Sequence, residues 1–203
     1  MHRPHVPVIL ASGSASRAQL LRNAGVEPRI SPVEVNEEAI LSSHSGTAQG
    51  ALLTLAWAKA TAHGPVEGAV VIAADSMLRI DGELQGKPHT ESETIRRWRA
   101  QSGKTGELMT AHVFLYGNES YAEVSTTSIT FGRPSEADIA AYAASGEPWG
   151  CAGAFTLEAL GSWFIDRIEG DPSGVIGLSM PVVGRALTHF GIDVSQTWVA
   201  SKR

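Results

Sequence analysis

The string Ser12-Gly-Ser-Ala-Ser-Arg17 lies between a short apolar run and a segment of helical character. A helix amino terminus offers free N–H groups and the positive end of a dipole. Serine hydroxyls and an arginine placed there can cradle an anion such as phosphate. The same string also reads as a serine-rich helix cap with a solvent-facing arginine. It is not a Walker A loop, because no Gly-Lys-Ser/Thr follows at the required spacing. Asp75 closes the apolar run Val70–Ala74. A carboxylate at the end of a buried strand suits a metal ligand or a general base, and equally a turn or a cap. In Gly86-Lys87-Pro88 the glycine permits close backbone approach to a ligand and the proline fixes the chain after Lys87. That ammonium can neutralise charge on a phosphoryl group, although such strings are also ordinary turns. Cys151-Ala-Gly-Ala-Phe-Thr-Leu-Glu158 is a loop of small residues ending in a carboxylate. Glu158 either accepts hydrogen bonds from a nucleobase edge or stands as a solvated charge. Cys151 has no base or cation beside it in sequence and reads as a small buried residue.

The elements that must hold these groups alternate along the chain. Val6–Ala11 reads as a buried first strand, followed by a helix capped by Ser14 or Ser16 and stopped at Gly25. Residues 47–62 form a second helix with Lys59 near its carboxyl end, and Gly68–Ala74 a central strand buried on both faces. Thr90-Glu-Ser-Glu93 matches a capping box opening a helix to Gln101, in which Arg96, Arg97 and Arg99 face solvent and Trp98 packs inward. Leu108–Tyr116 and Glu123–Phe131 are strands joined through Gly117-Asn118. A helix starts at Pro134 and ends at Gly146, Ser162–Ile168 alternates like a strand, and Pro181 starts a last helix finishing near Gly191. Stretches 145–153 and 170–179 read as loops. The interleaving predicts an α/β or mixed α+β class in one domain spanning 1–203.

Composition narrows the function. Of 203 residues, 16 are Lys or Arg and 21 are Asp or Glu, a formal charge of −5. That balance excludes a nucleic-acid coat or a membrane-surface patch, which need a dense positive footprint, but not a small phosphorylated ligand. One cysteine makes neither an internal disulfide nor a thiolate zinc cluster, and the seven histidines lack zinc-ligand spacing. The amino terminus lacks a signal h-region and no stretch approaches a membrane span, so the expectation is a cytoplasmic, soluble protein.

Taken in order, these stretches resemble the Maf family of nucleoside triphosphate pyrophosphatases, from Ile9 to about Gly191. The likeness rests on Leu10–Arg17, Ala58-Lys59-Ala60, Val71–Ser76, Gly86-Lys87-Pro88, Ser102-Gly-Lys104, Gly146-Glu-Pro148, Ala152-Gly153, Arg167–Gly170 and Val175–Leu178. The resemblance implies a mixed central sheet flanked by helices, two lobes around a cleft as in inosine triphosphate pyrophosphatases, and often a homodimer. It implies hydrolysis of a nucleoside triphosphate to a monophosphate and pyrophosphate with Mg²⁺ or Mn²⁺, in a house-cleaning role. Carried over by position, Asp75 is the general base, Ser14, Arg17, Lys59 and Lys87 hold the triphosphate, and Glu37 helps bind metal or substrate. Members preferring dTTP and UTP carry Ser-Pro-Arg-Arg in the first loop, Thr after the Asp and Gln in the later loop. Here those specificity positions are Ser16, Ser76 and Glu158, closer to the branch preferring 7-methyl-GTP. That branch sometimes has Trp where Ser16 stands, and Ser179 stands where Pro is common. The alternatives are a dTTP/UTP pyrophosphatase, an inosine/xanthosine triphosphate pyrophosphatase, and a non-catalytic nucleotide-binding regulator of cell division.

Overall fold

The computed structural model describes residues 4–199. In chain order the elements are β1 (Val8–Leu10), α1 (Ala15–Asn23), β2 (Arg29–Ile30), α2 (Glu37–Ser43), α3 (Ala48–His63), β3 (Val70–Ile80) and β4 (Glu83–Gln85). They continue with α4 (Glu91–Gln101), β5 (Thr105–Tyr116), β6 (Glu119–Phe131), α5 (Glu136–Ala144), β7 (Ile165–Glu169), α6 (Pro172–Ile176) and α7 (Met180–His189). Hydrogen bonding orders the strands β2-β1-β3-β5-β6-β7, with β4 also on β3. β1 runs parallel to β2 and β3, whereas β3–β4 and β6–β7 are antiparallel, so the sheet is mixed as predicted. Among the described residues no helix is long and apolar enough to cross a membrane.

Four local expectations change, the first being that Arg97 does not face solvent: its side chain is 12% exposed and donates to the Gly86 carbonyl. Asp75 does not end its strand: β3 runs on for five residues, because Met77, Leu78 and Ile80 keep it buried and Asp81-Gly82 turns it into β4. Asp81 and Gly82 take φ of 51° and 83°, the two left-handed residues that a two-residue hairpin turn uses. The predicted strand at Ser162 starts only at Ile165, since Leu160–Phe164 winds as a 3-10 turn. Thr90 caps α4 through its hydroxyl on the Glu93 N–H, but the Glu93 carboxylate binds Arg96 and Arg97 instead of closing a box. The hydrogen bond from Arg96, helped by Arg97, holds that carboxyl down at about 2.

The chain forms two compact units. The first comprises residues 1–75, 111–124 and 177–203, and the second 76–110 and 125–176. In the first, alternation on the strands sends Val8, Leu10, Val70, Ile72 and Ala74 into one cluster with Ala18 and Leu21 of α1 and Val182, Val183, Ala186 and Leu187 of α7. Ile9, Val71, Ala73 and Asp75 take the other register, that of the opposite face. His112, fully buried on β5, accepts the Ser179 N–H on Nε2 at 2.9 Å. The remaining ring nitrogen, Nδ1, is 3.2 Å from the Glu123 carbonyl oxygen, so it carries the proton and donates. That tautomer ties the start of α7 to β5 and β6.

The second unit is built around Trp98 of α4, which is 0% exposed. Phe131, Tyr142 and Phe164 meet its ring edge-on with centroids 5.6–5.8 Å away, and its indole N–H donates to the Ala154 carbonyl at 2.8 Å. Gly153 and Ala154, with φ of 70° and 60°, turn the loop so that this carbonyl points inward. A side chain at Gly153 would put its Cβ 2.8 Å from Leu78. Trp98→Ala removes the ring and leaves that carbonyl without its donor, so it lowers the unfolding free energy by roughly 3–5 kcal/mol. Trp163→Ala, at a residue 84% exposed, stays within about 0.5 kcal/mol of wild type. Urea denaturation of the two variants tests the contrast, and equal losses would remove Trp98 from the centre of that core.

Candidate active site

In the first unit one ammonium joins two acids. Lys59 Nζ, near the end of α3, lies 2.7 Å from Glu37 Oε1 and 3.0 Å from Asp75 Oδ2. The side chains of Lys59 and Asp75 are only 13% and 12% exposed, whereas Glu37 is 46% exposed. Glu37 reaches inward from the first turn of α2, a helix capped by the Asn36 side chain on the Ala39 N–H. Asp75 takes the β3 face opposite the Val70, Ile72 and Ala74 cluster, and its ion pair with Lys59 ties α3 to that strand.

Arg17 ties the first loop to the same place. Its Nε donates to the Gly177 carbonyl at 2.7 Å, and Nη1 donates to the Ala74 carbonyl at 2.8 Å and to Ser12 Oγ at 3.1 Å. Ala74 immediately precedes Asp75. Burial pushes the guanidinium below its ordinary range, while the charges of Asp75 and Glu37 act in the opposite sense. Ser14 is the N-cap of α1, its Oγ accepting the Arg17 N–H at 3.4 Å and its N–H donating to Ser12 Oγ at 3.2 Å. Ser16 sits half-buried in the first turn of that helix. The structure therefore brings Ser14, Ser16, Arg17, Glu37, Lys59 and Asp75 into one unit and joins four of them as charged neighbours. Ser12, which fastens both Arg17 and the Ser14 N–H, was not singled out within its string.

The other expected residues belong to the second unit. The Ser76 and Thr110 hydroxyl oxygens are 2.8 Å apart, and Thr110 donates its proton to the Gly174 carbonyl, so the proton between the two hydroxyls is that of Ser76. Lys87 is exposed. The segment bearing it is anchored by the Gly86 carbonyl, which accepts from Arg97 Nη1 at 2.6 Å and the Gly153 N–H at 3.2 Å, and by the His89 N–H on the Trp149 carbonyl at 3.1 Å. Glu158 is exposed, with Oε2 accepting the Leu157 N–H at 3.1 Å.

A family model described as Maf-like protein matches residues 7–190. The chain belongs to the Maf-like protein family. The "Nucleoside triphosphate pyrophosphatase" of Corynebacterium aurimucosum is 55% identical over 193 residues, 94% of this chain and 98% of that protein. Proteins of the same name from Corynebacterium efficiens and Rhodococcus jostii are 56% and 43% identical, over 94% and 96% of this chain and 98% and 97% of their own. These names specify no base. Among solved structures, the Staphylococcus aureus Ham1 protein aligns with a TM-score of 0.43 at 11% identity, over 95% of this chain and 93% of that one.

Within this Maf-like chain Cys151 bears on reactivity. Its thiol is half-buried and donates to the Glu147 carbonyl at 3.6 Å. Burial, followed by the charges of Glu158 and Glu147, pushes it up to about 11, against a smaller opposing effect of Lys87. At pH 8 the native protein is therefore alkylated by iodoacetamide roughly 100-fold more slowly than a small free thiol, and the rate climbs toward pH 11. In denaturant the difference disappears. A native rate equal to that of the free thiol would contradict the raised value.

Proposed function

We propose that this chain hydrolyses nucleoside triphosphates between the α- and β-phosphates, releasing a nucleoside monophosphate and pyrophosphate, the activity its relatives carry by name. The observation that carries the mechanism is Asp75, a nearly buried carboxylate sharing Lys59 with Glu37 and held beside the α1 amino terminus by Arg17. Asp75 takes the proton of the attacking water. Ser14 and the α1 amino terminus bind phosphate oxygens, with Arg17 fixing the loop and adding positive charge. Lys59 follows the negative charge from carboxylate to phosphate, and Lys87 contributes a further ammonium to the same polyanion.

Two acids set against Lys59 and Arg17 leave no surplus positive charge for a triphosphate. The donor set suits a hard divalent cation such as Mg²⁺ or Mn²⁺, which is commonly bound through one or two carboxylates with substrate phosphates completing its shell. Among the described residues no group of three acidic, His or Cys side chains is placed to hold a metal without substrate. Glu37 is the residue assigned to hold it, leaving Asp75 to the proton. When bound, the cation supplies neutralisation and polarisation of phosphoryl oxygens.

The base selected in this proposal is guanine methylated at N7. Glu158 offers only acceptors, which suit the guanine N1–H and N2 amino donors. The N3–H of uracil or thymine is instead flanked by two carbonyls that a carboxylate repels. A methylated purine adds positive charge. Ser16 and Ser76 are the other two positions assigned to base choice, and removal of modified nucleotides is the role that follows.

The test is a pyrophosphate-release assay with Mg²⁺ or Mn²⁺ across dTTP, UTP, CTP, GTP, ITP and 7-methyl-GTP, with Asp75→Asn alongside. The substitution is expected to lower kcat about 10²- to 10⁴-fold in protein that still folds, with a lower melting temperature because Lys59 loses a charged partner. Orthophosphate as the product, or unchanged turnover in the variant, would overturn the mechanism. Nucleotide binding without turnover would favour the regulator reading, and a dTTP or UTP preference would remove Glu158 from guanine recognition.

A further inference from the structure

Glu147, in Gly146-Glu-Pro148, opens a 3-10 turn of the second unit. Its Oε1 accepts the Thr156 hydroxyl and the Gly161 N–H, the latter at 3.1 Å, and its Oε2 accepts the Leu160 N–H at 3.2 Å. Thr156 is fixed twice more. Its N–H donates to the Tyr142 hydroxyl at 3.1 Å, and its Oγ1 accepts the Gly161 N–H at 3.2 Å. One carboxylate thus gathers both ends of the span 156–161. The closure is tight enough that a Cβ at Gly161 would lie 2.5 Å from the Thr156 carbonyl oxygen and the Tyr142 hydroxyl. Glu158 stands inside that span, exposed, with its carboxylate folded onto the Leu157 N–H.

The chemistry of the clamp is specific to a carboxylate. All three partners are donors, so an amide in its place can satisfy them from one oxygen only, while its NH₂ faces an N–H or a hydroxyl. A short loop that is not pinned samples several conformations, and each lowers the fraction in which Glu158 is presented correctly to a base edge.

We propose that Glu147 is a positioning residue for base selection: it holds the 156–161 loop closed so that Glu158 meets the nucleobase in one geometry, resting on the reading that Glu158 selects the base. Glu147 touches no substrate atom and leaves phosphate binding and proton transfer unaltered. Three properties therefore separate on substitution. Base preference falls, kcat on the preferred nucleotide holds, and affinity for a phosphate chain without a base holds.

The experiment compares wild type, Glu147→Gln, Thr156→Val and Glu158→Ala in KM and kcat on 7-methyl-GTP, GTP and UTP. The inhibition constant of inorganic triphosphate serves as the base-free probe, and melting temperatures report folding. For Glu147→Gln the expected result is a loss of roughly tenfold in the ratio of kcat/KM between best and worst nucleotide, carried by KM, the size of one lost hydrogen bond to a charged group. Inhibition by triphosphate stays unchanged, and Thr156→Val gives a smaller loss in the same direction. A folded Glu147→Gln with wild-type preference, while Glu158→Ala has lost it, overturns the positioning role and leaves the Glu158 reading standing. Wild-type preference in Glu158→Ala instead overturns the reading of that residue, and with it the role of Glu147. An equal rise in the triphosphate inhibition constant marks general damage, and failure of both Glu147→Gln and Thr156→Val to fold marks a purely structural clamp. Either also overturns the proposal.

Discussion

A carboxylate in the middle of an apolar strand is the constraint around which the first unit is arranged. Asp75 follows five buried residues on β3 and precedes Met77 and Leu78, which are buried as well. An ionised carboxylate in such a place costs several kcal/mol unless a counter-charge meets it, and removing one partner of a buried pair typically costs about 3–5 kcal/mol. Lys59 meets this need from α3 and so ties that helix to β3. Glu37 then balances the second side of the ammonium from a helix that buries none of its own residues. The ion pair ties the first turn of α2 to α3, and Asn36 caps that turn.

The same constraint explains how Arg17 is used. A guanidinium disfavoured by burial is retained because carbonyl and hydroxyl acceptors at Gly177, Ala74 and Ser12 surround it and two acids stand near. Three distant parts of the chain, the first loop, the end of the apolar run on β3 and the approach to α7, are pinned by one planar fork. Lysine, a point charge on a flexible stem, could not reproduce that geometry.

Much of this was legible in the sequence, for identifiable reasons. The continuous run Val70–Ala74 marked a strand buried on both faces, Ser14 and Gly25 bracketed α1, and residues 47–62 marked the helix carrying Lys59, which Thr47 caps by accepting the Gly50 N–H. The candidate residues Asp75, Arg17 and Lys59 were visible as residue types at element ends and as family motifs. What stayed hidden was pairing. Nothing local in Glu34-Val-Asn-Glu37 says that Glu37 shares a lysine with Asp75, since that contact spans long stretches of chain. β2, α2, β4 and α6 were not legible, because elements of two to seven residues carry little periodicity. The extension of β3 past Asp75 was misread although Asp81-Gly82 is a hairpin signal, because the charge at 75 looked like an ending. Glu147 was visible only as part of a motif, as its three donors come from the 156–161 loop.

The two carboxylates, Asp75 and Glu147, show how surroundings divide labour between chemically similar groups. Asp75 is met by an ammonium on a flexible four-carbon stem, a partner whose position is not fixed by Asp75's own backbone. Glu147 is met by two backbone N–H groups and a hydroxyl fixed to its own loop, partners that cannot leave unless the loop opens. A group whose partner can move away is available for proton transfer and ligand exchange; a group whose partners are the fold itself is not. In the proposed mechanism these different partners suit Asp75 to proton transfer and Glu147 to holding its loop.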